Sequence, residues 1–331
     1  MRILGSNKAE VVPVSRGYLC SETYNILTMK ELELIWLYYY LCECYDTELR
    51  WYCQRFSPNS EPKNLKITDV ELLTIYFYCR LHEDRHSKAR IHDFARRYML
   101  SWFPRLPNYA NFNARLNAMD SAITALVPML LQTVENQFAT QAVSEQMTLL
   151  DSFPIMLCSG KRKGKVDREL SDKGYCATKN TYYYGVKLHV AARRVRGSIP
   201  LPEMAGLTPG SQNDLAVLKP VVDQLAGQAI FADKAYADRP LNQRLMDLQD
   251  SFIYTPVKLV KGHSEWERHF VRAADELWST AVSRIRQPIE SLFNWLNEKT
   301  GLQNASKVRA TQGLIVHTFG ALATALLHYI C

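Results

Sequence analysis

The stretch Met147-Thr-Leu-Leu-Asp151-Ser-Phe-Pro-Ile-Met-Leu157 decides the fold class. It is a short apolar run with one carboxylate at its centre, and it reads as a buried β-strand, with Pro154 marking a bulge or an edge. An ionised Asp in the middle of such a strand is costly unless it is paired or bound to a metal ion. Working outward, Tyr182 to Ala192 predicts a second strand and Ser198 to Ala205 a third. Thr208 to Asp214 is a turn, after which Asn213 or Asp214 caps a helix through Leu225. Gln228-Ala-Ile-Phe-Ala-Asp233 is a short buried strand ended by a carboxylate. A helix from Arg239 to Leu248, a strand Phe252 to Thr255, a helix Trp278 to Asn297 and an apolar closing helix Thr311 to Tyr329 complete the chain. Strands in hairpins followed by strands alternating with helices predict an α/β fold: a mixed sheet with helices on both faces.

Upstream the texture is helical. Thr68-Asp-Val-Glu71 is a capping-box pattern ahead of Leu72, Leu73, Tyr76, Phe77 and Cys79 at helical spacing. Further helices are expected over Ala89–Met99, Tyr109–Ala118 and Ser121–Ala139, the last interrupted by Pro128. Residues 1–65 are aromatic-rich and show no clear period. The division expected is therefore 1–140, an all-helical region whose Arg90, Arg96, Arg97, Arg105 and Arg115 suit either DNA binding or a solvated face, with a dimer contact also open, and 141–331, an α/β domain.

Composition excludes some classes. Of 331 residues, 47% are hydrophobic and 22% charged, which rules out a disordered or fibrous chain. Met1-Arg-Ile-Leu-Gly-Ser-Asn-Lys8 forms no apolar leader, and the eight Cys lie in apolar or aromatic runs, so reduced thiols in a cytoplasmic protein are expected. No uninterrupted apolar run reaches ~18 residues, so no membrane span is expected. The net charge is +7, and residues 151–200 alone hold eleven Lys or Arg against four Asp or Glu. The core of that excess, Lys161-Arg162-Lys163-Gly-Lys165, is a basic loop suited to a phosphodiester backbone.

Three carboxylates stand out by position. Asp151 is mid-strand. Asp233 ends a strand, where ligands sit in open α/β sheets. Glu290 is polar on a helix whose neighbours Ile289, Leu292, Phe293 and Leu296 face a core. Three hard oxygen donors without a His or Cys cluster suit Mg²⁺, with Mn²⁺ substituting. Two such ions ~4 Å apart support in-line displacement at phosphorus, with Asp151 as the bridge. Each carboxylate by itself reads as readily as a cap or an ion-pair partner. A non-catalytic DNA-binding regulator on the same fold would carry the same basic loop and helices. A two-carboxylate glycosidase would need neither metal nor basic cleft.

The runs Leu150-Asp-Ser-Phe-Pro-Ile155, Tyr184-Gly-Val-Lys-Leu-His189, Phe231-Ala-Asp-Lys-Ala-Tyr236 and Arg286-Gln-Pro-Ile-Glu290 together resemble the catalytic domain of bacterial insertion-sequence DDE transposases, the insertion sequence 982 group in particular. The resemblance implies an RNase-H-like fold, Asp151, Asp233 and Glu290 as catalytic and metal-binding triad, and double-stranded DNA as partner. It also implies hydrolysis at transposon ends, attack of the freed 3′-hydroxyl on target DNA, and a homodimer at synapsis. Related families follow Tyr-x2-Arg-x3-Glu-x6-Lys around the Glu. Here Arg286 and Glu290 fit, Ser283 stands at the Tyr position and Asn297 at the Lys position, with Lys299 the nearest Lys.

Basic residues around these motifs are the remaining candidates. Lys187 and His189 share one face of the second strand and are expected near the acids if that strand pairs with the first. Lys234 directly follows Asp233. Arg286 lies one helical turn before Glu290, either as its ion-pair partner or as a phosphate contact. Lys187, Lys234 and Arg286, with Lys161, Arg162, Lys163, Lys165 and Lys299, form the expected nucleic-acid-binding set, whereas His189 reads as a hydrogen-bonded structural residue.

Overall fold

The computed structural model describes residues 29–53, 66–138, 147–161, 167, 169–176, 179–257, 265–306 and 308–330, without the side chains of 265–274. The basic residues Arg162, Lys163 and Lys165 lie outside the described residues.

The first half is helical. α1 (Met29–Cys44) continues through a wider π-helical stretch, Tyr45–Leu49, into the short α2 (Arg50–Tyr52). α3 (Asp69–His82) begins at the expected capping box: Glu71 N–H donates to Thr68 Oγ1 at 3.1 Å, and Thr68 N–H donates to Glu71 Oε2 at 2.6 Å. α4 (Lys88–Tyr98), α5 (Tyr109–Asn117) and α6 (Asp120–Phe138) follow, the first two capped by Ser87 and Asn108.

The second half is the expected mixed sheet with helices on both faces. Its strands are β1 (Met147–Ser159), β2 (Asp172–Cys176), β3 (Thr181–Arg193), β4 (Leu201–Pro209), β5 (Ala229–Ala232) and β6 (Phe252–Tyr254). The order is β2-β3-β1-β5-β6, with β4 also paired to β3. β1 runs antiparallel to β3 and parallel to β5, and β5 runs parallel to β6. α7 (Asp214–Leu218) and α8 (Arg239–Gln249) cover one face. α9 (Glu265–Arg286), α10 (Pro288–Thr300) and α11 (Thr311–Ile330) complete the fold.

Alternation along the strands divides the core in two. Leu150, Ala191, Ile230 and Ala232 point toward Leu218, Leu241 and Leu245 of α7 and α8. Leu149, Val190 and Phe231 point the other way, toward Leu292 and Phe293 of α10 and the much larger core that α11 shares with α3 and α6. That larger core is continuous from Leu34 to Leu327.

Two expectations need correction. The single helix Trp278–Asn297 is two, because Pro288 starts a new helix after Arg286. By length and composition α11 is apolar enough to cross a membrane, which the length of uninterrupted apolar runs does not reveal; 72% of its most apolar window is buried inside the protein.

Candidate active site

Asp151 and Asp233 are brought together by strand register. β1 and β5 pair in parallel, with Leu149 opposite Phe231 and Leu150 opposite Ala232. The next residue is the carboxylate in each case, Asp151 within β1 and Asp233, still extended, just past the end of β5. Both therefore stand at the same level and on the same face as Leu149 and Phe231. β1 has no β5 partner beyond Leu150, so Pro154 costs no ladder bond, and its carbonyl accepts from Gln303 Nε2 at 2.5 Å instead. Each Asp oxygen Oδ1 accepts the next backbone N–H, Ser152 at 2.8 Å and Lys234 at 2.7 Å, which fixes both carboxylates against their strands.

Glu290 arrives from α10. Ile289, Leu292, Phe293 and Leu296 are all buried beneath that helix, as expected from its apolar face. Phe293 stacks on Phe153 with centroids 5.0 Å apart, which holds the helix over β1 two residues beyond Asp151. Glu290, on the solvent side, is 54% exposed.

One side chain joins the two elements. Arg286 donates through Nη1 to Asp151 Oδ2 and through Nη2 to Glu290 Oε1, the latter at 2.8 Å. The i,i+4 pair expected from sequence is thus half of a three-residue bridge that reaches across to the sheet. Arg286 is 15% exposed, and its Nε is buried with no hydrogen-bond partner. Burial pushes the Asp151 carboxyl up to about 6, against the opposing pull of Arg286 and the Ser152 amide; Asp233 and Asp214 add to the rise.

Two further residues act on this site electrostatically from the other face of the sheet. Tyr236, three residues after Asp233 within the same motif, is 2% exposed, and its hydroxyl has no partner. Burial raises its phenol, with Asp214, Asp151 and Asp233 adding to the effect. Asp214 is, by sequence, a candidate helix cap. Asn213 takes that role, accepting from Leu215 and Ala216 N–H, which frees Asp214 to bind Lys187 Nζ at 3.0 Å.

The basic candidates divide. Arg286 is in the site, and Lys234 is exposed immediately beyond Asp233. Lys187 and His189 pair across from Pro154 and Ser152, so they lie on the sheet face opposite Asp151. Lys187 Nζ is held by Asp214 and the Gln212 carbonyl, and His189 Nε2 pairs with Thr208 Oγ1 at 2.7 Å. Burial holds the His189 imidazole down at about 4, so it is neutral near pH 7. Lys299 is nine residues past Glu290, roughly half a turn round and ~13 Å along the helix. It is exposed and raises the local positive field at His328 instead. Lys161 is exposed at the far end of β1, up to roughly 30 Å of strand from Asp151. Lys161 is therefore not beside the carboxylates.

Residues 144–326, more than half of the chain, match the family model described as the transposase DDE domain. The chain belongs to that family, the DDE-type transposases of insertion sequences, and its partner is DNA. No curated protein and no solved structure matches it.

Members of this family use divalent metal ions. The donor chemistry fits: Asp151, Asp233 and Glu290 offer only hard carboxylate oxygens on one face of the sheet. The arrangement itself is held by Arg286, and among the described residues no three His, Cys, Asp or Glu side chains already converge on a single ion position.

Proposed function

We propose that this transposase hydrolyses phosphodiesters at transposon ends and then joins the freed 3′-hydroxyl to target DNA, with Asp151, Asp233 and Glu290 as its catalytic carboxylates. The observation that carries this is the parallel register of β1 and β5, which sets Asp151 beside Asp233, together with the reach of α10, which brings Glu290 to a guanidinium shared with Asp151.

Asp151, fixed mid-sheet, is the rigid member; with Asp233 and Glu290 it would hold the Mg²⁺ or Mn²⁺ ions. When bound, such ions would supply activation of a water or 3′-hydroxyl and charge stabilisation at the leaving oxygen. The protein's own part is positional. The Ser152 and Lys234 amides fix the two Asp carboxylates, and the Phe153–Phe293 stack sets the height of Glu290. Lys234 and the loop residues Lys161, Arg162, Lys163 and Lys165 hold the DNA backbone. The subgroup, insertion sequence 982, and a homodimer at synapsis belong to the same proposal, as does the assignment of residues 1–140 to DNA binding or dimerisation.

The test is end cleavage of a plasmid carrying the chain's own reading frame with its flanking DNA. Asp151→Asn, Asp233→Asn and Glu290→Gln should each lower Mg²⁺-dependent cleavage by at least ~10³-fold and leave DNA binding within a few-fold. Full activity in any one of them removes that residue from the triad. Binding without cleavage by the unaltered chain, under every divalent ion, would favour a regulator.

A further inference from the structure

The carboxylate site already contains a cation. Arg286 lies between Asp151 and Glu290 and donates one nitrogen to each. A divalent ion ligated by both carboxylates would have to occupy the same gap. Arg286 is the last residue of α9, separated by Gln287 from Pro288 at the start of α10. Gln287 makes no side-chain cap, and Pro288 offers no N–H, so the helix is interrupted right beside the guanidinium. The side chain is largely buried while Glu290 is open to solvent, and the buried Arg286 Nε has no partner. One end of this cation is therefore satisfied by carboxylates, and another donor is unused.

On the reading of Asp151 and Glu290 as metal ligands, we propose that Arg286 is the resident counter-cation of the site, and that a divalent ion enters as its guanidinium passes to a DNA phosphate. Without DNA, an ion must displace two charge-assisted hydrogen bonds and leave a guanidinium in a largely buried position with nothing to bind. With DNA, a phosphate offers the guanidinium the same two-oxygen geometry that a carboxylate does. Both cations then end paired: the ion with the carboxylates, Arg286 with the phosphodiester. DNA and metal ion each remove the obstacle to the other, so their binding is mutually reinforcing, and by linkage the effect is equal in both directions. The protein alone then holds its metal weakly, and loading follows DNA capture.

Mn²⁺ binding, read by electron paramagnetic resonance of the free ion, tests this without any activity assay. The full chain is titrated with Mn²⁺ alone and again with a short duplex of arbitrary sequence, the duplex's own Mn²⁺ uptake being subtracted. Arg286→Gln should bind Mn²⁺ about tenfold more tightly than the unaltered chain in the absence of DNA, with Arg286→Lys between them. The duplex should raise the affinity of the unaltered chain by a similar factor and leave Arg286→Gln unchanged. Asp151→Asn should lose the site in every condition. Equal affinity of Arg286→Gln and the unaltered chain overturns the inference. The measurement on the unaltered chain stands independently of how the variant folds: Asp151-dependent Mn²⁺ binding that is indifferent to DNA also overturns it, and leaves the triad intact. If no Asp151-dependent binding appears in any protein, the triad reading falls as well.

Discussion

Asp151→Asn should make the metal-free protein more stable while removing its activity. The folded protein holds the Asp151 carboxyl up at about 6, whereas an unfolded Asp titrates near ~3.9. The folded pKa is the higher one, so the stability this group contributes is fully present below about pH 4 and is lost as pH rises through about 6. A separation of ~2 units corresponds to ~3 kcal/mol that the unaltered chain forgoes near pH 8 in order to keep an ionised carboxylate in place. Asn reproduces the uncharged form at nearly the same volume. The variant should therefore be ~3 kcal/mol more stable near pH 8 and equal to the unaltered chain near pH 4. At ~2 °C per kcal/mol for a chain of this size, that is a rise of ~6 °C in melting temperature. Thermal melts in chelator at the two pH values measure it. Mg²⁺ should erase the difference only well above its weak Kd for the DNA-free chain, where an ion at 100 times its Kd contributes ~2.7 kcal/mol to the unaltered chain alone. A variant less stable near pH 8, or an advantage that persists unchanged near pH 4, would refute the reasoning.

Arg80→Met should cost ~2–4 kcal/mol in urea unfolding, because Arg80, 1% exposed, donates to Thr324 Oγ1 and to the Thr300 and His86 carbonyls, and all three acceptors would lose their partner; an unchanged midpoint would show that water takes its place. Gly185→Ala should cost at least ~2 kcal/mol or prevent folding, since an added Cβ would run into the Ile155 carbonyl oxygen in the neighbouring strand; circular dichroism melts decide. Replacing Lys161, Arg162, Lys163 and Lys165 by Gln should reduce the slope of log affinity against log salt by ~0.9 for each phosphate the loop neutralises, with cleavage of bound DNA unaffected; an unchanged slope would show that the loop does not touch the DNA backbone.

What was legible in the sequence was local or periodic. The Thr68–Glu71 capping box needs only four residues, and it is present. Asp233 at the end of a short apolar run and Glu290 above four apolar neighbours are likewise patterns within one element. α1 was hidden because its buried residues, Leu34, Leu37, Leu41 and Cys44, are interleaved with exposed aromatics such as Trp36 and Tyr39, so the apolar pattern shows no clean face. β2, Asp172-Lys-Gly-Tyr-Cys176, has little strand character of its own and exists through its pairing with β3. The placing of Lys187 and His189 failed for a parity reason. Alternation puts the two on one face, but which face depends on register with β1, and Asp151 lies opposite Val190 rather than His189.

α10 is held at both ends, and the two anchors come from distant parts of the chain. At its start, Glu290 is tied to Asp151 through Arg286, the last residue of α9. At its end, the Thr300 carbonyl accepts from Arg80 Nη2 at 3.0 Å, a cation set at the negative end of the helix dipole. Arg80 belongs to α3, far upstream of the strands, and its neighbour Tyr76 donates from its hydroxyl to the Val316 carbonyl of α11 at 3.1 Å. The helices before residue 140 therefore do more than accompany the sheet. They complete the core beneath α11 and fix the far end of the helix that presents Glu290. Any assignment of residues 1–140 to DNA binding or dimerisation has to be compatible with that second task.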